Sequence, residues 1–145
     1  MADFVFNIAK GAAAEMVRDA PANLGVMLLK TAEAEATLKD RADLAAVLAN
    51  GSVECDFTSY ARKTAITGTI NVDNTNDRVD LDFPDQTWAP AGGATNNSVV
   101  RAIVFYQNTA ADSGRVPLTC HDFIVTTDGS DLTLQVNAAG FYRAA

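Results

Sequence analysis

The sequence predicts an α+β fold in one domain, with N-terminal helices packed on a predominantly antiparallel β-sandwich or barrel-like sheet. Three observations lead there. Residues 9–51 hold two alanine- and leucine-rich stretches on either side of an apolar run. From Val53 onward Thr, Val, Tyr and Phe rise, and turn residues recur at short intervals. A length of 145 residues with 48% hydrophobic and 20% charged residues suits one core, which at this size buries roughly two-thirds of the unfolded chain's surface. No repeat, heptad pattern or linker divides the chain, so residues 1–145 read as one unit with an N-terminal arm over 1–8, a helix-rich part over 9–51 and a β-rich part over 52–145.

The opening Phe4-Val-Phe-Asn-Ile8 is apolar and β-prone, and Ala9–Arg18 has the alanine-rich character of a helix interrupted by Gly11. Pro21 ends that helix, because proline disfavours helical geometry in the residue before it. The continuous apolar run in Asn23–Lys30 is too short for a buried helix and predicts a central strand covered on both faces. Thr37 and Asp40 offer caps for a helix that carries Leu38, Leu44, Val47 and Leu48 and stops at Asn50-Gly51.

The β-rich part predicts strands at Glu54–Thr67, Thr69–Val72, Arg78–Phe83, Gln86–Ala89, Val99–Gln107, His121–Thr127 and Leu132–Asn137. Within Asn74–Trp88, Val79, Leu81 and Phe83 fall on one face of a strand and Asp80 and Asp82 on the other, which predicts a half-buried strand with a wet acidic face. Asp128-Gly129 between alternating apolar residues predicts a hairpin joining the last two strands. The small-residue stretches Ala89–Ser98 and Asn108–Gly114 read as surface loops.

A formal net charge of −7 and a pI near 4.5 argue against nucleic acid as a partner, because phosphate binding draws on clustered Lys and Arg. Arg62-Lys63 is the one adjacent basic pair and reads as a solvated strand or loop edge. Met1-Ala-Asp-Phe4 lacks the basic start of a secretion signal, and no apolar run approaches the roughly 20 residues of a membrane span. The expectation is a cytoplasmic protein with no membrane partner. Cys55 and Cys120 lack the short spacing of a metal knuckle or redox pair and read as free buried thiols.

The chemistry-bearing constellations each meet an objection. Asp73, Asp77, Asp80, Asp82 and Asp85 suggest calcium by composition, yet Arg78 stands where an EF-hand loop counted from Asp73 needs glycine, and Pro84 stands where it needs the bidentate glutamate. Cys120, His121 and Asp122 are neighbours along a strand, and strand neighbours point to opposite faces, which denies a nucleophile its base. No serine lies in a nucleophile elbow, and Gly92-Gly93 and Gly129 belong to no phosphate-cradling motif. The expectation is no catalytic residue, no cofactor and no metal. Trp88 either caps the core or anchors a partner, with the core favoured. Phe4, Val5 and Phe6 either pair within their own sheet or add a strand to a neighbouring subunit, and these four residues are the interface candidates.

Six segments, in order, resemble a family of minor head proteins from tailed bacteriophages of actinobacteria, often described as capsid decoration proteins. They are Phe6–Gly11, Leu44–Gly51, Tyr60–Lys63, Asn74–Trp88, Pro117–Phe123 and Gly140–Arg143. The resemblance spans most of the chain and rests on order and combined length, since none of the segments is catalytic. It implies a virion structural protein on the capsid exterior, with the major capsid protein as partner and self-association as a trimer on the shell. A tail or head-to-tail joining protein is the neighbouring alternative. A carbohydrate-binding β module using Trp88 and Tyr106 as stacking platforms is the alternative from another class.

Overall fold

The computed structural model describes residues 2–145. The chain starts in the short strand β1 (Phe4–Val5), passes a 3₁₀ turn at Asn7–Ala9 and enters helix α1 (Ala13–Asp19). Gly11 at φ +83° divides the two, so the expected single helix from residue 9 is a turn followed by a helix. Ala13 and Val17 are the core-facing residues of α1, which stops two residues before Pro21 as expected.

Strand β2 (Leu24–Thr31) has its first six residues buried, which is the pattern of a strand covered on both faces. Gly25 is required there. A Cβ at this position would lie 2.3 Å from the Phe105 ring and 2.7 Å from the Lys63 carbonyl oxygen. The predicted long helix over 37–51 is two short ones, α2 (Glu35–Leu38) and α3 (Leu44–Ala49). The cap of α3 is Asp43, whose Oδ1 accepts from the Ala46 N–H at 2.7 Å, in place of Thr37 or Asp40.

The strand expected over 54–67 is likewise two, β3 (Val53–Glu54) and β4 (Lys63–Ile66), because residues 55–62 fold into a turn in which the Tyr60 N–H donates to the Phe57 carbonyl. There follow β5 (Thr69–Asp73), β6 (Arg78–Asp82), β7 (Gln86–Trp88) and the long strand β8 (Ser98–Gln107). Strand β9 (Arg115–Thr126) starts six residues before the predicted His121, and β10 (Leu132–Leu134) and β11 (Tyr142–Ala144) end the chain.

The strands form a six-stranded antiparallel sheet in the order β1-β9-β8-β2-β3 with β4 also on β2, a three-stranded sheet β11-β6-β5, and a two-stranded sheet β10-β7. This is an α+β fold dominated by antiparallel sheet. The large sheet separates two apolar clusters. On one face Met27, Leu29, Ile103, Phe105 and Cys120 pack with Phe6 and with Leu38, Leu44 and Val47 of α2 and α3. On the other, Val26, Leu28, Ala102 and Val104 pack with Val17 of α1, with Leu81 and Trp88 of the small sheets and with Phe83 just after β6.

The expected hairpin at Asp128-Gly129 does not form. Strand β9 pairs with β8 and β1, and β10 pairs with β7, so the turn hands the chain from the large sheet to a small one. The loop after β7 is also tied down where a surface excursion was expected. Ala91 is fully buried, its N–H donates to the Ser130 carbonyl, and the Gly92 N–H donates to the Thr58 carbonyl.

Candidate functional site

The acidic signature strand does not have a wet carboxylate face throughout. Asp80 is 4% exposed. Its Oδ1 accepts from Arg143 Nε at 2.7 Å, and its Oδ2 lies 3.3 Å from Arg78 Nε. Alternation placed Asp80 opposite Leu81 correctly, but β11 lies alongside β6 with Arg143 directly across from Asp80, and a carboxylate paired with two guanidinium groups is stable away from water. The close approach of the C-terminal segment depends on Gly140 at φ +85°, where a Cβ would sit 2.1 Å from the Leu81 carbonyl oxygen.

Three of the other four carboxylates of the cluster accept backbone hydrogen bonds. Asp73 accepts from the Thr75 and Asn76 N–H groups, Asp82 from the Phe83 N–H, and Asp85 from the Val136 N–H. The five therefore spread over several turns and strand ends. Among the described residues no group of three or more His, Cys, Asp or Glu side chains could hold a metal ion.

Trp88 lies in the core at 2% exposure, with Nε1 donating to the Ala61 carbonyl at 2.8 Å and Lys63 Nζ 5.1 Å above the ring. Phe4 and Val5 pair with Cys120 and Thr119 of β9, so the arm completes its own sheet, and Phe6 is fully buried. Of the four interface candidates, Trp88 and Phe6 are core residues and Phe4 and Val5 are half-buried in an edge strand. Tyr106 is 7% exposed, so neither it nor Trp88 presents a ring face to a sugar.

Arg62 also departs from the expected solvated edge. Its side chain is 15% exposed and bonds Glu54 at 2.7 Å and Asp112 at 2.5 Å, joining the β3 region to the turn before β9. Burial pushes both cysteine thiols up to about 12. Both are free.

His121 is a clip for the arm. Its Nδ1 lies 3.2 Å from Asp3 Oδ2, its Nε2 lies 2.8 Å from Thr119 Oγ1, and Asp3 Oδ1 accepts from the Asp122 N–H at 2.7 Å. The Cys120 side chain points into the cluster on the helix-covered face, so the three neighbours form no reacting set. A groove of about 620 Å³ opens beside this clip, between β9 and the stretch 133–143, with Phe83, Val104, Phe123 and Phe141 among its lining.

Sequence reasoning passed over two residues here. Arg101, 2% exposed in the middle of an apolar strand, pairs with Asp122 at 2.5 Å, and a lone charge inside such a run was the available signal. Ile124 is 82% exposed, on the opposite face of β9 from Phe123 and Val125.

No helix among the described residues is long and apolar enough to cross a membrane. No family model, no curated protein and no solved structure matches this chain.

Proposed function

We propose that this chain is a non-enzymatic structural protein of a bacteriophage virion, a capsid decoration (minor head) protein that binds the outer surface of the assembled capsid and stabilises it. The reading starts from the resemblance of six ordered segments to minor head proteins of tailed phages. One structural observation supports it. The resembling segments hold one another: the Phe6 N–H donates to the Leu118 carbonyl, Trp88 Nε1 to the Ala61 carbonyl, and Arg143 Nε to Asp80. Contacts between segments that match in the same order are what a shared domain leaves in sequence.

The mechanics suit the fold. A rigid β domain added at many equivalent shell sites stabilises the assembly by mass action, and interfaces at or below ~1,600 Å² become consequential when repeated. The partner is the major capsid protein, with self-association about a local axis of the shell as a trimer. The net charge of −7 favours the outer surface over packaged DNA. The carbohydrate reading has no observation in its favour, since Trp88 and Tyr106 are both buried.

The test is binding of the purified protein to expanded capsids of its phage. Co-sedimentation, a raised unfolding temperature of the shells and density on their exterior by cryo-electron microscopy are the expected results. A protein that stays monomeric and leaves capsids unbound overturns the decoration reading, and density at the tail or neck moves the protein there.

A further inference from the structure

Beyond Thr119 and Cys120, where β1 lies alongside, β9 has no strand on its outer side among the described residues. The Asp122 N–H points to that outer side, to Asp3 Oδ1. By strand alternation Ile124 and Thr126 turn their N–H and C=O groups the same way, and both residues are exposed. Phe123 and Val125 face inward against the core, and Phe123 lines the 620 Å³ groove. An unpaired row of backbone donors and acceptors beside a groove lined in part by apolar side chains is a template for another strand.

We propose that this edge, Phe123–Thr126, is a β-augmentation site for an extended segment of another protein that is apolar at alternate positions and flanked by Lys or Arg. The inference goes beyond the virion reading and does not require it. A strand laid on the outer groups of Ile124 and Thr126 sends alternate side chains into the mouth of the groove and the others past the Ile124 side chain. That dictates apolar residues at alternate positions.

Charge favours a foreign strand over a second copy. At one end stand Asp3 and Asp122, with side chains 59% and 43% exposed, of which the buried Arg101 offsets one. At the other end Asp128 and Asp131 are exposed, with no basic residue between Thr126 and Leu134. In the antiparallel two-fold register that sets Ile124 against Thr126 of a second copy, Asp122 opposes Asp128 of that copy at both ends of the pairing. Like charges directly opposite destabilise a strand pair. A segment with cationic flanks turns both ends into attraction.

The test is a titration of the isotope-labelled protein, followed through its backbone amide resonances. The probe is a synthetic peptide of alternating valine and threonine with two lysines at each end, and the control carries glutamates in their place. Saturable shifts centred on Ile124 and Thr126 are expected, with the lysine peptide binding about tenfold tighter at low salt and the difference vanishing near 1 M. Ile124→Pro removes one outward N–H and abolishes the shifts. Should that variant unfold, the double variant Asp128→Lys with Asp131→Lys on the exposed turn carries the test, and it reverses the preference between the two peptides. Shifts centred elsewhere, equal binding of the two peptides, or the same amides shifting with protein concentration alone, which assigns the edge to a second copy, overturn the proposal.

Discussion

Asp80 and Arg143, 63 residues apart in sequence, meet through a 2.7 Å hydrogen bond on a carboxylate that is almost fully buried. The bond closes the three-stranded sheet, since Arg143 lies on β11 directly across from Asp80 on β6. Removing the acid takes from Arg143 its carboxylate partner and leaves Arg78 with Asp73 alone at 3.3 Å, whereas removing Arg143, 42% exposed, leaves Asp80 still paired with Arg78. Asp80→Ala is expected to cost about 3 kcal/mol and Arg143→Ala about 1 kcal/mol in denaturant unfolding. The double variant should cost less than the sum, because the two residues are in direct contact.

Trp88 is the only tryptophan and reports the core directly. At 2% exposure its emission is expected to be blue-shifted and poorly quenched by iodide, moving red in one step on unfolding. Trp88→Phe keeps most of the packing but leaves the Ala61 carbonyl without its donor, for a loss of about 1–2 kcal/mol. A red-shifted native spectrum would refute the core placement.

Cys55 and Cys120 are buried free thiols whose desolvation raises them to about 12, so the thiolate is scarce at neutral pH. A disulfide-exchange reagent should modify neither in the native protein within minutes at pH 8 and both in denaturant. Rapid labelling of either in the folded state would contradict this burial.

Acid should weaken the fold through its paired carboxylates. The Arg62 guanidinium beside Asp112, with Arg115 at 2.9 Å, holds that carboxyl below the usual range, and Lys30 does the same for Asp56. A depressed folded value means that the unfolded chain binds protons first as pH falls. The contribution is therefore complete above the unfolded value and disappears as pH drops through the folded one. Melting temperature should stay flat from pH 7 to about 5 and fall below about 4. Asp112→Asn should be less stable at pH 7 and show a smaller acid drop.

Much of the fold was legible from local pattern. The apolar run in Leu24–Leu29 announced a strand covered on both faces, and its first six residues are buried. Pro21 marked the end of α1. Pairing was less legible. Asp128-Gly129 has the chemistry of a tight hairpin, yet β10 finds its hydrogen bonds on β7, more than forty residues earlier in the chain. Turn chemistry is local, and a strand's partner is chosen by which apolar faces the whole molecule can bury together. The candidate site was read least well, because exposure of Ile124 follows from where helices and the arm stop covering the sheet, and no window of sequence contains that boundary.

By itself the sequence determined the α+β class, the period-2 faces of the strands and the burial of the aliphatic core, all set by side-chain chemistry within a few neighbouring positions. Only the tertiary structure decided that Asp80 is dry, that Trp88 and Phe6 are core, and that among the described residues no strand lies outside β9 beyond β1. The reason is physical. A charge can leave water only if opposite charge arrives from elsewhere in the chain, and an edge is open only if no distant strand has taken it.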